Sequence, residues 1–356
     1  MTHKTYRTFA AIFRAVSAFD FYSDDPGETR GHRGCGRSVG GAGTLDSSPK
    51  IPSLGRGESG GGAWDGVARS GILVGMMESG LKPELWTTIE PGQDVALVVC
   101  DMDGTLLDGE GRVPDAFWSL VDTMSERGIM FAPASGRQYA TLAKMFAGRA
   151  SIRTFISENG AHVVQDGESV SVTPVEKDTA ERVIRLVRDV DHRDIGLVAG
   201  GAKSAYVERR DDRFTEQVET YNAALTIVDD LTEVEDDFVK LATFDFNGVD
   251  DIVEDVFPGS WDGHQVVVSG THWVDIISDQ ANKGNALRDL QKHLGISPSQ
   301  TVVFGDYLND LEMLDQADLS FAMANAHPDV RAAARYEAPA NTEHGVVSVL
   351  ERLLNL

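Results

Sequence analysis

The spacing of apolar and polar positions changes several times along the chain, and the changes predict its elements. Ala96–Cys100 is a short valine-rich run of a length suited to a strand buried on both faces. Beyond it, Pro114 is placed to open a helix, with Trp118, Val121 and Met124 at helical spacing as far as Arg127, and Gly128 ending it. The spacing predicts a second strand over Ile129–Ala134, a helix over Gln138–Phe146, a third strand over Thr154–Ser157, and a hairpin opening at Val163. Strands alternating with helices in this way point to a parallel sheet.

From about Pro174 to Ser269 the pattern differs. Helices over Thr179–Val190 and Arg213–Tyr221 are interspersed with short strand-like runs at Ile195–Ala199, Ala205–Glu208, Leu225–Val228 and Phe238–Phe246, and Gln265–Ser269 reads as paired with Trp273–Ile277. This is the signature of an α+β insert with a largely antiparallel sheet. The first pattern then returns. A helix begins at Asn282-Lys283-Gly284 with Ala286, Leu287, Leu290 and Leu294 on one face. Strands follow over Thr301–Phe304 and Leu319–Met323, and helices over Leu308–Leu314, from Pro328, and over Glu343–Leu354. The expected fold is α/β: a doubly wound, mostly parallel core in 76–173 and 270–356, with an α+β cap inserted at 174–269.

Residues 1–75 belong to neither pattern. The stretch 27–71 holds 14 of the 36 glycines, without periodicity, so it lacks the apolar surface to offset the entropy of ordering. It reads as a disordered or non-native extension, with the patterned protein beginning at Met76 or Met77.

Charge narrows the partners. The net charge is −24, yet residues 1–75 carry 9 Lys+Arg against 7 Asp+Glu, so the remainder stands at 23 against 49, a net of −26. So acidic a body repels nucleic acid and anionic membrane, and neither is expected as a partner. No apolar run approaches the roughly 18 residues a membrane span needs. The two cysteines, Cys35 and Cys100, lie in unrelated contexts, so no structural disulfide and a reducing, cytoplasmic setting are expected. The chain is expected to be a monomer or a weak homo-oligomer.

The candidate chemistry gathers at the ends of the predicted core strands. Asp101 and Asp103, two residues apart beyond the first strand, point the same way, and Gly104 lets the chain turn there. Ser135-Gly136-Arg137 follows the second strand and opens a helix, where backbone N–H groups and the Ser135 hydroxyl suit an anion. Asn159-Gly160 after the third strand reads best as turn chemistry. Lys283 opens a helix whose dipole disfavours a cation, so it calls for either solvent or a negative partner. Asp306 sits on the loop after Thr301–Phe304, with Asn309 and Asp310 in the next helical turn. Four carboxylates in one cleft would repel, and a hard divalent cation resolves this. Mg²⁺ fits oxygen ligands and substrate phosphate, with Asp101, the main-chain carbonyl of Asp103 and Asp306 as ligands and Asp310 and Asn309 orienting them.

In order, DMDGTLL, ASGR, KG and GDYLND resemble the four motifs of the haloacid dehalogenase-like (HAD) phosphohydrolases. An insert placed after the second motif, with ENGA before it and K-G after it, resembles the Cof-type subgroup with a C2 cap. The stretches GGAKSAYVE, SENGA and SFAMANA look most like its sugar-phosphatase branch. The resemblance implies that Asp101 is the nucleophile, Asp103 the general acid and base, and Lys283 a catalytic cation. It further implies that Ser135, Gly136, Arg137 and Asn309 serve the substrate, that Mg²⁺ is the cofactor, and that a small phosphorylated metabolite is the partner. Cap residues near Gly200–Tyr206 are candidates for the leaving group. A phosphomutase, a hydrolase of nucleotide, flavin mononucleotide or pyridoxal phosphate, and a non-catalytic sugar-phosphate-binding regulator are the rival readings.

Overall fold

The computed structural model describes residues 83–356. The expectations for 1–75, and a start at Met76 or Met77, lie outside these residues. Two sheets organise the described chain.

The larger has nine strands in the order Glu84–Leu85, Tyr336–Ala338, Leu319–Met323, Thr301–Gly305, Leu97–Asp101, Met130–Ala134, Thr154–Ser157, His162–Gln165 and Glu168–Val172. All neighbours are parallel as far as Thr154–Ser157, and the last two strands add an antiparallel hairpin. The chain runs outward in one direction from Leu97–Asp101 and in the other from Thr301–Gly305. The strand order therefore switches between these two, and open α/β sheets form their ligand crevice at such a point.

The apolar run reads as expected because both of its faces are covered. Leu97, Val98, Val99 and Cys100 have no exposed surface, nor do Val302, Val303 and Phe304 beside them. Burying each such side chain contributes about 1.5–3 kcal/mol. Phe304 stacks on Phe321, with 4.9 Å between ring centroids. Helix Asp115–Glu126 packs against Gly345–Leu353, and Lys283–Leu294 against Leu311–Leu314.

The smaller sheet has six strands in the order His264–Val268, Trp273–Ser278, Phe238–Asp245, Ile195–Gly201, Ala205–Val207 and Leu225–Ile227. It is antiparallel except for the last pair. Helices Lys177–Arg188 and Ile252–Asp255 share one apolar cluster with it, and Asp212–Tyr221 packs through Phe214 and Val218 into another. The smaller sheet runs past the expected boundary at 269/270. Trp273–Ser278 pairs with both Phe238–Asp245 and His264–Val268, so the smaller sheet extends to Ser278 and the larger sheet's helices resume at Lys283. Gly270 lies in the hairpin turn between two strands of one sheet, and its turn chemistry mimics a boundary.

The two sheets meet at specific groups. The Gln138 amide donates to the Ala224 carbonyl at 3.0 Å and accepts from the Ala224 N–H at 3.1 Å. The Thr141 hydroxyl donates to the Tyr221 carbonyl at 3.1 Å. Ala161, Val239 and Ala281 form a small apolar cluster between the sheets.

Candidate active site

Register places the motif residues side by side. Asp101 ends its strand opposite Ala134, and Ala134 lies opposite Ile156. Ser135 and Ser157 therefore leave neighbouring strands at the same level. Across the switch point Phe304 is opposite Cys100, which brings Asp306 to the other side of Asp101.

Lys283 is the hub, with no exposed surface. Its ammonium donates to Asp101 Oδ1 and, at 2.7 Å, to Asp310 Oδ1. The negative partner that the helix position called for is therefore Asp101 with Asp310. Burial pulls the lysine toward neutrality, but the charges of Asp101 and Asp310 and the hydrogen bonds to both outweigh it, so its pKa stands above the usual lysine value. Asp310, also fully buried, has little capacity left: its second oxygen accepts from the Asp306 N–H at 3.0 Å and the Tyr307 N–H at 3.1 Å. It braces the loop and orients Lys283.

Carboxylate oxygens of Asp101, Asp306 and Asp310 lie within 4.8 Å of one another. With Lys283 they sum to two uncancelled negative charges, the amount a divalent cation offsets. Burial foremost, with Asp310 and Asp306 adding to it against Lys283, raises the Asp101 carboxyl well above the carboxylate range. Burial and then the Asp310 charge push Asp306 up to about 7, even though the Thr105 hydroxyl donates to it at 2.8 Å. Carboxyls that resist ionising together, with oxygens facing one point, fit the oxygen-ligand chemistry of Mg²⁺. Gly104, at φ +86°, is required here, because a Cβ would run into the Asp306 carboxylate.

The carboxylate of Asp103 stands apart from this cluster. It is 58% exposed and held by Arg137, whose Nη2 donates at 2.6 Å and Nε at 3.2 Å. Only its main-chain carbonyl remains available for the ligand role expected of it. Arg137 is thus a partner of Asp103 in this structure. Ser135 is buried, and its hydroxyl accepts from the Arg137 N–H at 3.3 Å.

Asn309 donates to Asn159 Oδ1 at 3.1 Å. Asn159, read above as turn chemistry, is the site residue that sequence reasoning passed over. It occupies the left-handed region at φ 53°, as does Glu158 at φ 49°. Such positions cost about 1–3 kcal/mol each and persist where surroundings hold them. Here the Asn159 N–H donates to the Ser135 carbonyl and the Glu158 N–H to the Arg137 carbonyl, both at 3.0 Å. The Asn159 amide also lies so close to Gly136 that a Cβ there would press on it at 2.9 Å. The turn is a brace for Ser135–Arg137, and two successive positive φ values were not legible from Glu-Asn alone.

Comparison with known proteins agrees with this geometry. The family model described as haloacid dehalogenase-like hydrolase matches residues 98–350. The chain belongs to that family. Over 266 residues it is 35% identical to the 5-amino-6-(5-phospho-D-ribitylamino)uracil phosphatase YbjI of Escherichia coli, covering 73% of this chain and 96% of the relative. The crystal structure of SMU.1108c from Streptococcus mutans is similar, at 28% identity and a TM-score of 0.59, covering 74% of this chain and all of that one. The HAD subclass IIB sugar phosphatase BT4131 shares the fold at a TM-score of 0.58 and 20% identity, covering 72% and 98% of the two chains. This chain is a HAD phosphatase of the Cof type, with small phosphorylated compounds as substrates. No helix among the described residues is long and apolar enough to cross a membrane.

The raised Asp306 carboxyl would give metal binding at this cluster a pH dependence. A cation entering the cluster displaces the Asp306 proton below about pH 7, so Mg²⁺ affinity is expected to fall as pH falls, by roughly tenfold per unit for one competing proton. Calorimetric titration with Mg²⁺ between pH 5 and 8 checks this, and equal affinity across the range would contradict it. In the metal-free protein the sign is opposite. The raised carboxyl adds stability that is full below the unfolded carboxylate pKa and lost as pH rises through about 7. Asp306→Asn should therefore raise the melting temperature of the metal-free protein most at pH 8.

Proposed function

We propose that this HAD phosphatase is a Mg²⁺-dependent phosphomonoester hydrolase acting on sugar or polyol phosphates through an aspartyl-phosphate on Asp101. The observation that carries the reading is the position of the Asp101 carboxylate. It is held by buried Lys283 within the acid cluster, level with the Ser135–Arg137 turn on the next strand. The ester chemistry is supported by the E. coli relative, whose name carries a phosphorylated ribityl group.

Asp101 attacks phosphorus and the bond to the leaving oxygen breaks. Asp103 gives that oxygen a proton, then takes one from the water that hydrolyses the acyl phosphate. Lys283 and the Ser135 hydroxyl, with the Gly136 N–H, hold the phosphoryl oxygens, because phosphoryl transfer is mostly positioning and electrostatics. Arg137 aims the Asp103 carboxylate across the same opening. The Asn309–Asn159 pair keeps the Gly136 turn in place. Asp101, Asp306 and the Asp103 carbonyl would hold Mg²⁺, oriented by Asp310, and the bound ion would neutralise phosphoryl charge. The smaller sheet serves as the cap over this opening.

A screen of phosphorylated sugars, polyols, nucleotides and flavin mononucleotide, with and without Mg²⁺, tests the reading. Turnover of polyol and sugar esters that requires Mg²⁺ is expected, and preference for nucleotides would overturn the substrate class. Asp103→Asn is expected to lower turnover of a sugar phosphate about a hundredfold more than that of nitrophenyl phosphate, whose leaving group needs no proton. Equal losses on both would remove Asp103 as the acid.

A further inference from the structure

One face of the smaller sheet carries charges that the reaction above does not use. Lys240 and Ala242 are two apart on one strand and so share a face. Asp275 is directly opposite Ala242 in antiparallel register, which puts it on the same face, diagonal to Lys240. Opposite Lys240 on its other side is Gly200. Farther along this face Val198, Ala242 and Phe244 are covered by Phe214 and Val218 of helix Asp212–Tyr221. The end with Lys240 is instead turned to the larger sheet, where the ammonium meets Glu158 Oε2 at 2.6 Å. Glu158 adjoins Asn159 in the turn that braces Ser135–Arg137. The charged face thus stands across from the phosphoryl site.

Lys240 and Asp275 each keep partial exposure. Gly200, with no side chain, leaves a low floor beside Lys240. The rest of the Gly200–Tyr206 stretch is engaged by Asp236: the Tyr206 hydroxyl and the Lys203 N–H both donate to its Oδ2, at 3.0 and 2.9 Å. Of that stretch, Gly200 is the residue beside the charged pair.

We propose that Lys240 and Asp275, beside the floor of Gly200 and closed by Glu158, form the leaving-group subsite, and that it selects neutral polyhydroxylated leaving groups over anionic ones. This rests on the phosphomonoesterase reading above. Glu158, Lys240 and Asp275 sum to one negative charge, so a second phosphate or a carboxylate on the leaving group meets net repulsion. Hydroxyls find both partners they need, donors on the ammonium and acceptors on the carboxylates. Burial foremost lifts the Asp275 carboxyl above its usual range against the pull of Lys240 and a hydrogen bond from Ser269, a cost that a further hydroxyl donor would relieve.

The test compares kcat and KM on ribitol 5-phosphate, 3-phosphoglycerate, fructose 1,6-bisphosphate and acetyl phosphate, with Mg²⁺ present. The protein is expected to favour the polyol ester over both esters with anionic leaving groups by at least about tenfold in kcat/KM. Asp275→Asn should narrow that ratio about tenfold, through KM rather than kcat. Lys240→Gln strands two carboxylates and risks misfolding, whereas Lys240→Arg should retain most of the selectivity. Gly200→Val is the independent variant. Its Cβ would meet Lys240 atoms no nearer than 3.5 Å, and valine suits a strand, so the fold is kept while the floor is raised. It should raise KM for ribitol 5-phosphate far more than for acetyl phosphate, whose leaving group is small. Selectivity unchanged in both Asp275→Asn and Gly200→Val, with folded and active protein, would overturn the subsite while leaving the phosphatase reading standing. No turnover of any ester by the unaltered protein would overturn that reading itself, and the subsite with it.

Discussion

Asp101→Asn is expected to lower phosphomonoester turnover by at least about four orders of magnitude while leaving the fold intact. The substitution removes the carboxylate proposed as the nucleophile, and the amide has no comparable nucleophilicity. The fold should tolerate it for an electrostatic reason. Asp101 is a buried acid raised well above its usual range, crowded by Asp310 and Asp306. Taking its charge away leaves Lys283 paired with Asp310 at 2.7 Å and removes a buried charge that Asp310 and Asp306 disfavour. The melting temperature of the metal-free protein should therefore hold or rise, and Mg²⁺ should stabilise it less than it does the unaltered protein. Retained turnover would remove Asp101 as nucleophile, and a large fall in melting temperature would contradict the account of the cluster.

Lys283→Met should be the most damaging single change for stability. The ammonium has no exposed surface and is the cation that Asp101 and Asp310 share. Methionine fills the space but leaves buried carboxylates uncompensated. Breaking one side of a buried pair costs about 3–5 kcal/mol. Turnover should be lost as well. Mg²⁺ added to the variant should recover part of the lost stability, because the cation enters the same excess of negative charge. Thermal unfolding with and without Mg²⁺ measures both effects. A variant as stable as the unaltered protein would show that the acids do not depend on Lys283.

The two variants bear on one arrangement, and much of it was legible in the residues. The uninterrupted run Leu97–Cys100 is buried on both faces, and strand-end chemistry followed from it. Asp101, Lys283, Asp306 and Asp310 do come together, because the parallel register aligns their strands' ends at the switch point. Other features depend on pairings between distant segments. Asn159 resembles an ordinary Asn-Gly turn until the strand at Thr154–Ser157 brings it under Gly136. Arg137 holds Asp103 from the adjacent strand end, which nothing in Ser-Gly-Arg announces. Lys240 and Asp275 are unremarkable charges in sequence and become neighbours only through antiparallel register. Trp273–Ser278 was legible as a strand, but its sheet was decided by its partners. Tyr336–Ala338 and Glu84–Leu85 are too short for periodicity and take their form from the sheet edge they extend.

The central claim is that the Asp101 carboxylate accepts the phosphoryl group. The direct measurement is to quench the protein with acid during turnover of a sugar phosphate, reduce any acyl phosphate with borohydride, and map the peptides by mass spectrometry. The account predicts conversion of residue 101 to homoserine in the Val95–Leu107 region, dependent on substrate and Mg²⁺ and absent in Asp101→Asn. Phosphoryl transfer to a different side chain, or conversion that persists in Asp101→Asn, would contradict it.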